Sequence, residues 1–446
     1  MASPATNSNL DRRARELLTE FYAVATRAVD PAPALAARLV GLDSSPRRRW
    51  ILALGKAAAP MARAAVETLA AWGREPAGGL VVAPATGPAP HPAIPVVAGD
   101  HPEPGPGSLA AAEALGRTAS QVAPADEVWV LLSGGASSLL AAPIAGITPA
   151  ELTALYRVLL GSGLDITAMN RIRKRFSRWG GGRLATALAP AQVRGFIVSD
   201  VIGDDLASIG SGPCVPDVAT AADVHRMLDE AALWTRIPAA ARRLVLATES
   251  GETAETPKPG DQAFAHVTLE LIASNRLALE AAARRAAELG LASEVAETPL
   301  AGEAWATGAS VAALLLQNCG PGKIPQPAAP TRCFIWGGET TVTLGDTPPG
   351  LGGRCQELAL AAARALDGVR PGVALMAAGT DGRDGPTDAA GAIVDGGTWR
   401  AASAAGRDPA RDLATHDAYR ALDAAGALLK VGLTGTNVMD VVIGVV

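Results

Sequence analysis

Between residues 47 and 200 the chain repeats one phrase: a short apolar run that stops at glycine, serine or aspartate, usually followed by a helical segment. The runs are RRRWILALG, GGLVVAP, IPVVAGD, EVWVLLSGG and VRGFIVSD. Ala-rich or amphipathic stretches such as AAAPMARAAVETLAAW, PAELTALYRVLL and DITAMNRIRKRFSRW lie between several of them. Short buried strands alternating with amphipathic helices predict a parallel sheet covered on both faces. Only 4% of residues are aromatic while 49% are hydrophobic, so the core must be built mainly from Ala, Val, Leu and Ile. The uncharged stretch from Val128 to Ala150 could pass for a membrane span. It carries Ser133, Gly134, Gly135, Ser137, Ser138 and Pro143, which read as strand, glycine turn and helix instead.

The pattern breaks at residues 248–262, where ESGETAETPKPGD is polar and without periodicity, the expected linker. Beyond it, HVTLELIAS, NRLALEAAARRAAELG and LASEVAE read as a further β-α-β unit, followed by strands in RCFIWGG, TTVTLG, VALMAAG, GAIVDG, LLKVG and VMDVVIGVV. A Pro-rich loop is expected at 320–330. The fold class is therefore α/β with two α/β domains, 1–247 and 262–446. A net charge of −5 argues against a nucleic-acid binder. Four cysteines without C-x-x-C spacing read as reduced thiols in a cytoplasmic protein, and the N-terminus shows no apolar signal segment.

Ligands of open α/β sheets bind outside the carboxyl ends of the strands, so the residues that follow each run are the candidates. Lys56 opens a helix, where a cation opposes the helix dipole unless an anion sits there; the competing reading is a lysine that snorkels to solvent. Ser133, Gly134, Gly135 and Ser137 offer backbone N–H groups to phosphate oxygens, or form only a tight turn. Asp200 directly follows a buried strand and is a candidate base or metal ligand, whereas Asp204 and Asp205 suit helix caps. Arg354 repeats the Lys56 anomaly, with an ion pair to Glu357 as its bland alternative. Asp381, Asp384 and Asp388 crowd one Gly/Pro-rich loop, as Mg²⁺ ligands or as turn caps. Gly338, Glu339, Thr436 and Asn437 close the set of small or polar strand-end residues. His91 and His101, in Pro-rich loops, read as structural or exposed. No Walker A loop and no G-x-G-x-x-G occurs, so a standard dinucleotide site is unsupported.

In order along the chain, ALGKAA (53–58), HPEPGPGS (101–108), LLSGGASSLL (131–140), VSDVIGDDLASIGSGPCVPD (198–217), GGRCQELAL (352–360), AAGTDGRDGPTDAAGAIVDG (377–396) and TGTNVMD (434–440) resemble the class II, MOFRL-type glycerate 2-kinases. The resemblance implies an N-terminal doubly wound, Rossmann-like domain, a C-terminal MOFRL-type α/β domain and an active site in the cleft between them. It implies phosphorylation of D-glycerate at its 2-hydroxyl to 2-phosphoglycerate, with ATP and Mg²⁺. By motif match Lys56 and Arg354 correspond to basic residues that stabilise the transferred phosphoryl, and SGGASS to the glycine loop that faces nucleotide or substrate. Asp200, Glu339 and the TDGRDGPTD aspartates correspond to acidic cleft residues. Arg175 and Gly180 depart from the family's R-K-H-L-S-x-x-K-G-G, and Cys355 from G-G-R-N-Q-E, which leaves the acceptor open. The rival readings are an NAD(P)H-dependent hydroxypyruvate reductase and a non-catalytic sugar-acid binding protein. No nucleic-acid or membrane partner is expected, and a homodimer is carried as the expectation for assembly.

Overall fold

A computed structural model of the chain describes residues 4–42, 47–101, 103–164, 166–319, 330–345 and 348–446. The expected Pro-rich loop lies, but for Pro330, outside them. Two compact units emerge, Pro31–Ile272 and a second made of Met1–Asp30 with Ala273–Val446. The division differs from 1–247 and 262–446 at both ends. The helix Pro4–Ala28 packs on the helix Asn275–Glu288 and the C-terminal sheet, joined by Arg15 to Asp395 (3.1 Å) and Arg285 to Glu20 (2.6 Å).

The first unit holds strands β1 (Arg49–Leu54), β2 (Gly78–Ala83), β3 (Val96–Ala98), β4 (Glu127–Leu132), β5 (Gln192–Val198) and β6 (Val267–Ala273), in the order β3-β2-β1-β4-β5-β6. The β1–β2, β1–β4, β2–β3 and β4–β5 pairs are parallel. β1, β2 and β4 are buried along their whole length, as strands covered on both faces must be. This is the doubly wound arrangement, with its switch of strand order between β1 and β4. β6 was expected to open the second domain; it joins this sheet beside β5 instead, so HVTLELIAS and LASEVAE belong to different sheets. A satellite core of Leu155, Leu159, Ile172, Phe176, Val224 and Leu228 ties the helices Pro149–Leu160, Ile166–Phe176 and Ala221–Glu230 together.

The second unit holds β7 (Ala292–Val295), β8 (Arg332–Gly338), β9 (Ala374–Gly379), β10 (Gly391–Asp395), β11 (Leu428–Leu429) and β12 (Asp440–Val445), in the order β11-β10-β9-β12-β8-β7. Here the strands pair differently from those of the first unit. Only β7–β8 is parallel, and β12 runs antiparallel between β8 and β9. Periodicity reports burial, not strand direction. TTVTLG is not a strand; Thr341 forms a single bridge with Glu303. No described helix is long and apolar enough to cross a membrane.

Candidate active-site residues

Each unit carries its own cluster, and the first forms where the strand order switches. Lys56 follows β1, and its backbone N–H donates to the Gly134 carbonyl (2.9 Å) in the loop after β4. Ser133 Oγ accepts from the Ala57 N–H at 3.0 Å, which ties the two loops together and commits that hydroxyl to structure. A Cβ on Gly134 would lie 1.7 Å from Asp200 Oδ2, so the Asp200 carboxylate occupies the room that glycine leaves. Gly135 takes φ +84°, and its Cβ position is 3.3 Å from Lys56 Cε and 3.2 Å from His101 Cδ2. Lys56, His101 and Asp200 thus gather around two glycines. Burial raises the Asp200 carboxyl above its usual range against the pull of the Lys56 charge; burial and Lys56 together lower the His101 imidazole. Asp205 caps its own turn, accepting from Ala207 N–H (3.0 Å) and Ser208 Oγ (2.6 Å). Ser137 Oγ meets Ser211 Oγ at 2.8 Å.

The second cluster is built on the first turn of the helix Arg354–Ala365. Arg354 donates from Nε and Nη2 to the two oxygens of Asp440 (2.6 and 2.9 Å), and its Nη1 lies 2.6 Å from Glu339 Oε1. The two carboxylates hold the guanidinium charged and oriented against the cost of its partial burial. Glu357 turns away from Arg354 and meets His416 Nδ1 at 2.8 Å. Arg354, Glu339 and Thr340 share a cavity of about 570 Å³ with apolar Val342 and Leu344. A larger recess of about 750 Å³ adjoins it through Pro349, Gly350 and His416, where Arg407 is already committed to Asp412 and Asp417.

The three loop aspartates do not make a common metal site, and among the described residues no three His, Cys, Asp or Glu side chains converge to hold one. Each carboxylate is spoken for locally. Asp384 is buried and accepts from the N–H groups of Cys355 (3.1 Å) and Gln356 (2.7 Å), capping the helix that carries Arg354. Burial pushes its carboxyl up to about 7, opposed by those two N–H groups. Asp388 accepts from Tyr419 Oη (2.7 Å) beside Lys430, and Asp381 from the Arg383 N–H (2.9 Å). Thr436 Oγ1 donates to the Val29 carbonyl (2.7 Å), Asn437 Oδ1 accepts from the Met439 N–H (3.2 Å), and Gly338 pairs with Asp440 across β8 and β12. Gly338 therefore lies beside the Asp440 that holds Arg354, while the side chains of Thr436 and Asn437 are committed to nearby backbone groups.

Sequence reasoning passed over His101 and Asp440. His101 follows a strand as plainly as Lys56 does, and Asp440 is the single charge in the apolar run VMDVVIGVV. The residues that depart from the family motif are interior. Arg175 is buried against Glu255 (2.6 Å), Cys355 packs in the core, and Gly180 donates its N–H to Ser177 Oγ (3.2 Å).

Residues 17–246 match a domain of unknown function (DUF4147), and residues 332–440 match the MOFRL family. The chain is 37% identical to the D-glycerate 2-kinase of Thermotoga maritima, over 97% of this chain and 98% of that protein. It is 36% identical to the glycerate 2-kinase of Pyrococcus horikoshii, over 89% of this chain and 87% of that one. A protein of Agrobacterium vitis with the provisional name hydroxypyruvate reductase is 38% identical over 97% of this chain and 94% of its own. The crystal structure of the Thermotoga glycerate kinase superposes with a TM-score of 0.84 at 36% identity, covering 97% of this chain and 99% of that one.

Proposed function

The chain belongs to the MOFRL-type glycerate 2-kinases, and from that premise we propose that it transfers the γ-phosphoryl group of ATP to the 2-hydroxyl of D-glycerate, giving 2-phosphoglycerate. Phosphoryl transfer asks a protein chiefly for positive charge and positioning. The observation that carries the reading is the grouping of Lys56, His101 and Asp200 around Gly134 and Gly135, at the strand-order switch where open α/β sheets bind ligands.

In this reading Lys56 and Arg354 are the two cations of the reaction. Lys56 is exposed and positioned by its backbone bond to Gly134, so its ammonium is free to meet a phosphoryl oxygen. Arg354 is fixed bidentately by Asp440, which presets the direction of its remaining N–H groups. Asp200, with a carboxyl that burial makes more basic than usual, accepts the proton of the glycerate hydroxyl. Gly134 and Gly135 lend backbone N–H groups to anionic oxygens.

Mg²⁺ needs only one or two protein carboxylates when it travels with phosphate oxygens, and half-buried Asp381 has the donor chemistry for it. When bound it would neutralise phosphate charge. A cytoplasmic setting agrees with four free cysteines, and a homodimer is the assembly to look for.

Two assays on the purified chain test the reading: ADP release with D-glycerate, and NADH oxidation with hydroxypyruvate. Glycerate-dependent ADP release is expected, with 2-phosphoglycerate as product. Hydroxypyruvate-dependent NADH oxidation without ADP release would replace the kinase by the reductase, against which the missing G-x-G-x-x-G after β1 already counts.

A further inference from the structure

The first unit carries a cavity of about 230 Å³ that the residues described so far do not line. Its walls include Pro104, Pro106, Leu109, Ala141, Leu152 and Tyr156, and only Thr153 and Tyr156 among its lining side chains are polar. Tyr156 lies beneath the Arg173 guanidinium (5.0 Å), which fixes its ring. The volume falls below the roughly 300–1,000 Å³ of a pocket that takes a whole ligand, and suits a single ring system. Glycerate does not suit such walls, because its carboxylate and hydroxyls would lose water and find little to pair with. A flat heteroaromatic ring does. Its faces pack on proline and tyrosine rings, and only its edge is polar.

The cavity is tied to the glycine loop by the two segments that build both. The segment before His101 lies along the short helix Ala136–Leu139. At one end of that helix the Gly135 Cβ position is 3.2 Å from His101 Cδ2 and 3.3 Å from Lys56 Cε; at the other, Gly99 leaves room for the Leu139 carbonyl, which would stand 2.3 Å from a Cβ there. The chain then turns back, pinned by the Ser108 N–H donating to Asp100 Oδ2 (2.9 Å), and the helix Pro106–Ala119 packs on Ala136–Leu139. Pro104, Pro106 and Leu109 thereby meet Ala141 at the Leu139 end. Six residues separate Gly135 from Ala141, about 9 Å at helical rise. That is the kind of distance a ribose and its phosphates cover.

We propose that this cavity holds the purine base of ATP, with the phosphate chain running back along the Ala136–Leu139 helix to Lys56. Apolar walls at one end of the helix and a cation at the other match a ligand that is aromatic at one end and anionic at the other. The identity of the nucleotide as phosphoryl donor rests on the kinase reading above, whereas the fit of a heteroaromatic ring to the cavity does not.

The test uses the full-length chain and two variants, Ala150→Trp and Thr153→Trp. Both residues line the cavity from the helix Pro149–Leu160 and reach solvent, so an indole there fills the space without entering the core. ATP affinity is measured by calorimetric titration without glycerate, inorganic tripolyphosphate serves as a competitor that has no base, and steady-state kinetics give both KM values. ATP binding should weaken by about 10- to 100-fold, the worth of one stacked base, and the ATP KM should rise to match. Inhibition by tripolyphosphate and the glycerate KM should stay within about twofold of wild type. Photolabelling of the wild type with 8-azido-ATP should mark residues within 104–109 or 149–156, and it decides the matter alone should both variants misfold.

Three results would overturn the proposal. One is ATP affinity unaffected in both folded variants. Another is an equal loss of ATP and tripolyphosphate binding, which would place the effect at the phosphates. The third is a photolabel found elsewhere in the chain. Labelling of these segments without glycerate-dependent ADP release would sink the kinase reading alone.

Discussion

At the scale of single residues, what decides the site is which charges the fold leaves uncommitted. Lys56 is exposed and makes no side-chain hydrogen bond among the described residues, so Lys56→Ala should leave the denaturation midpoint unchanged while lowering kcat by about 100-fold or more. Near-normal turnover in that variant would remove Lys56 from the mechanism. Asp384 is the opposite case, a committed carboxyl whose folded-state pKa stands near 7 against 3.8 for an ordinary aspartate. Its protonated form is favoured by folding. Its contribution to stability is therefore complete below about pH 4, falls as pH rises through 7 and is constant above, at roughly 1.4 kcal/mol for each pKa unit. Denaturant titrations at pH 5 and pH 8 should show a smaller loss of stability in Asp384→Asn than in the wild type; equal losses would refute that assignment. The nearness of Lys56, Gly134 and Asp200 was legible in sequence because each comes just after a buried run. The local partners of Asp381, Asp384 and Asp388 were not, because sequence shows carboxylates but hides the N–H and O–H groups that meet them.

At the scale of elements, strand ends were readable and strand partners were not. Apolar runs marked all but one of the strands they were expected to mark, yet the same runs pair parallel in one sheet and largely antiparallel in the other. TTVTLG failed because β-branched residues describe what a pleated surface accepts, and no neighbouring strand was there to supply more than one bridge. The helix Pro4–Ala28 packs on distant sequence, which no local pattern announces. Tyr22 on it donates from its buried hydroxyl to the Gly379 carbonyl (2.8 Å), at the end of β9 where the Asp381 loop begins. Tyr22→Phe leaves that carbonyl without its donor and should cost about 1–3 kcal/mol, measured by denaturant titration. An unchanged midpoint would mean water replaces the hydroxyl.

At the scale of the whole molecule, one unit is continuous in sequence and the other is not. The second unit is assembled from both flanks of the first, so its sheet combines strands from residue 292 onward with a helix from the first thirty residues. A chain that stops after Asn437 would lack β12, the strand between β8 and β9. Its second unit should fail to form and ADP release should vanish, checked by soluble yield and circular dichroism beside the intact chain. β12 also carries Asp440, and the ribosome delivers it after every other strand. The carboxylate that holds Arg354 therefore reaches the fold after every other strand among the described residues. On the proposed reading of Arg354, competence comes only with β12, because a chain interrupted before Asp440 lacks the carboxylate that orients the guanidinium.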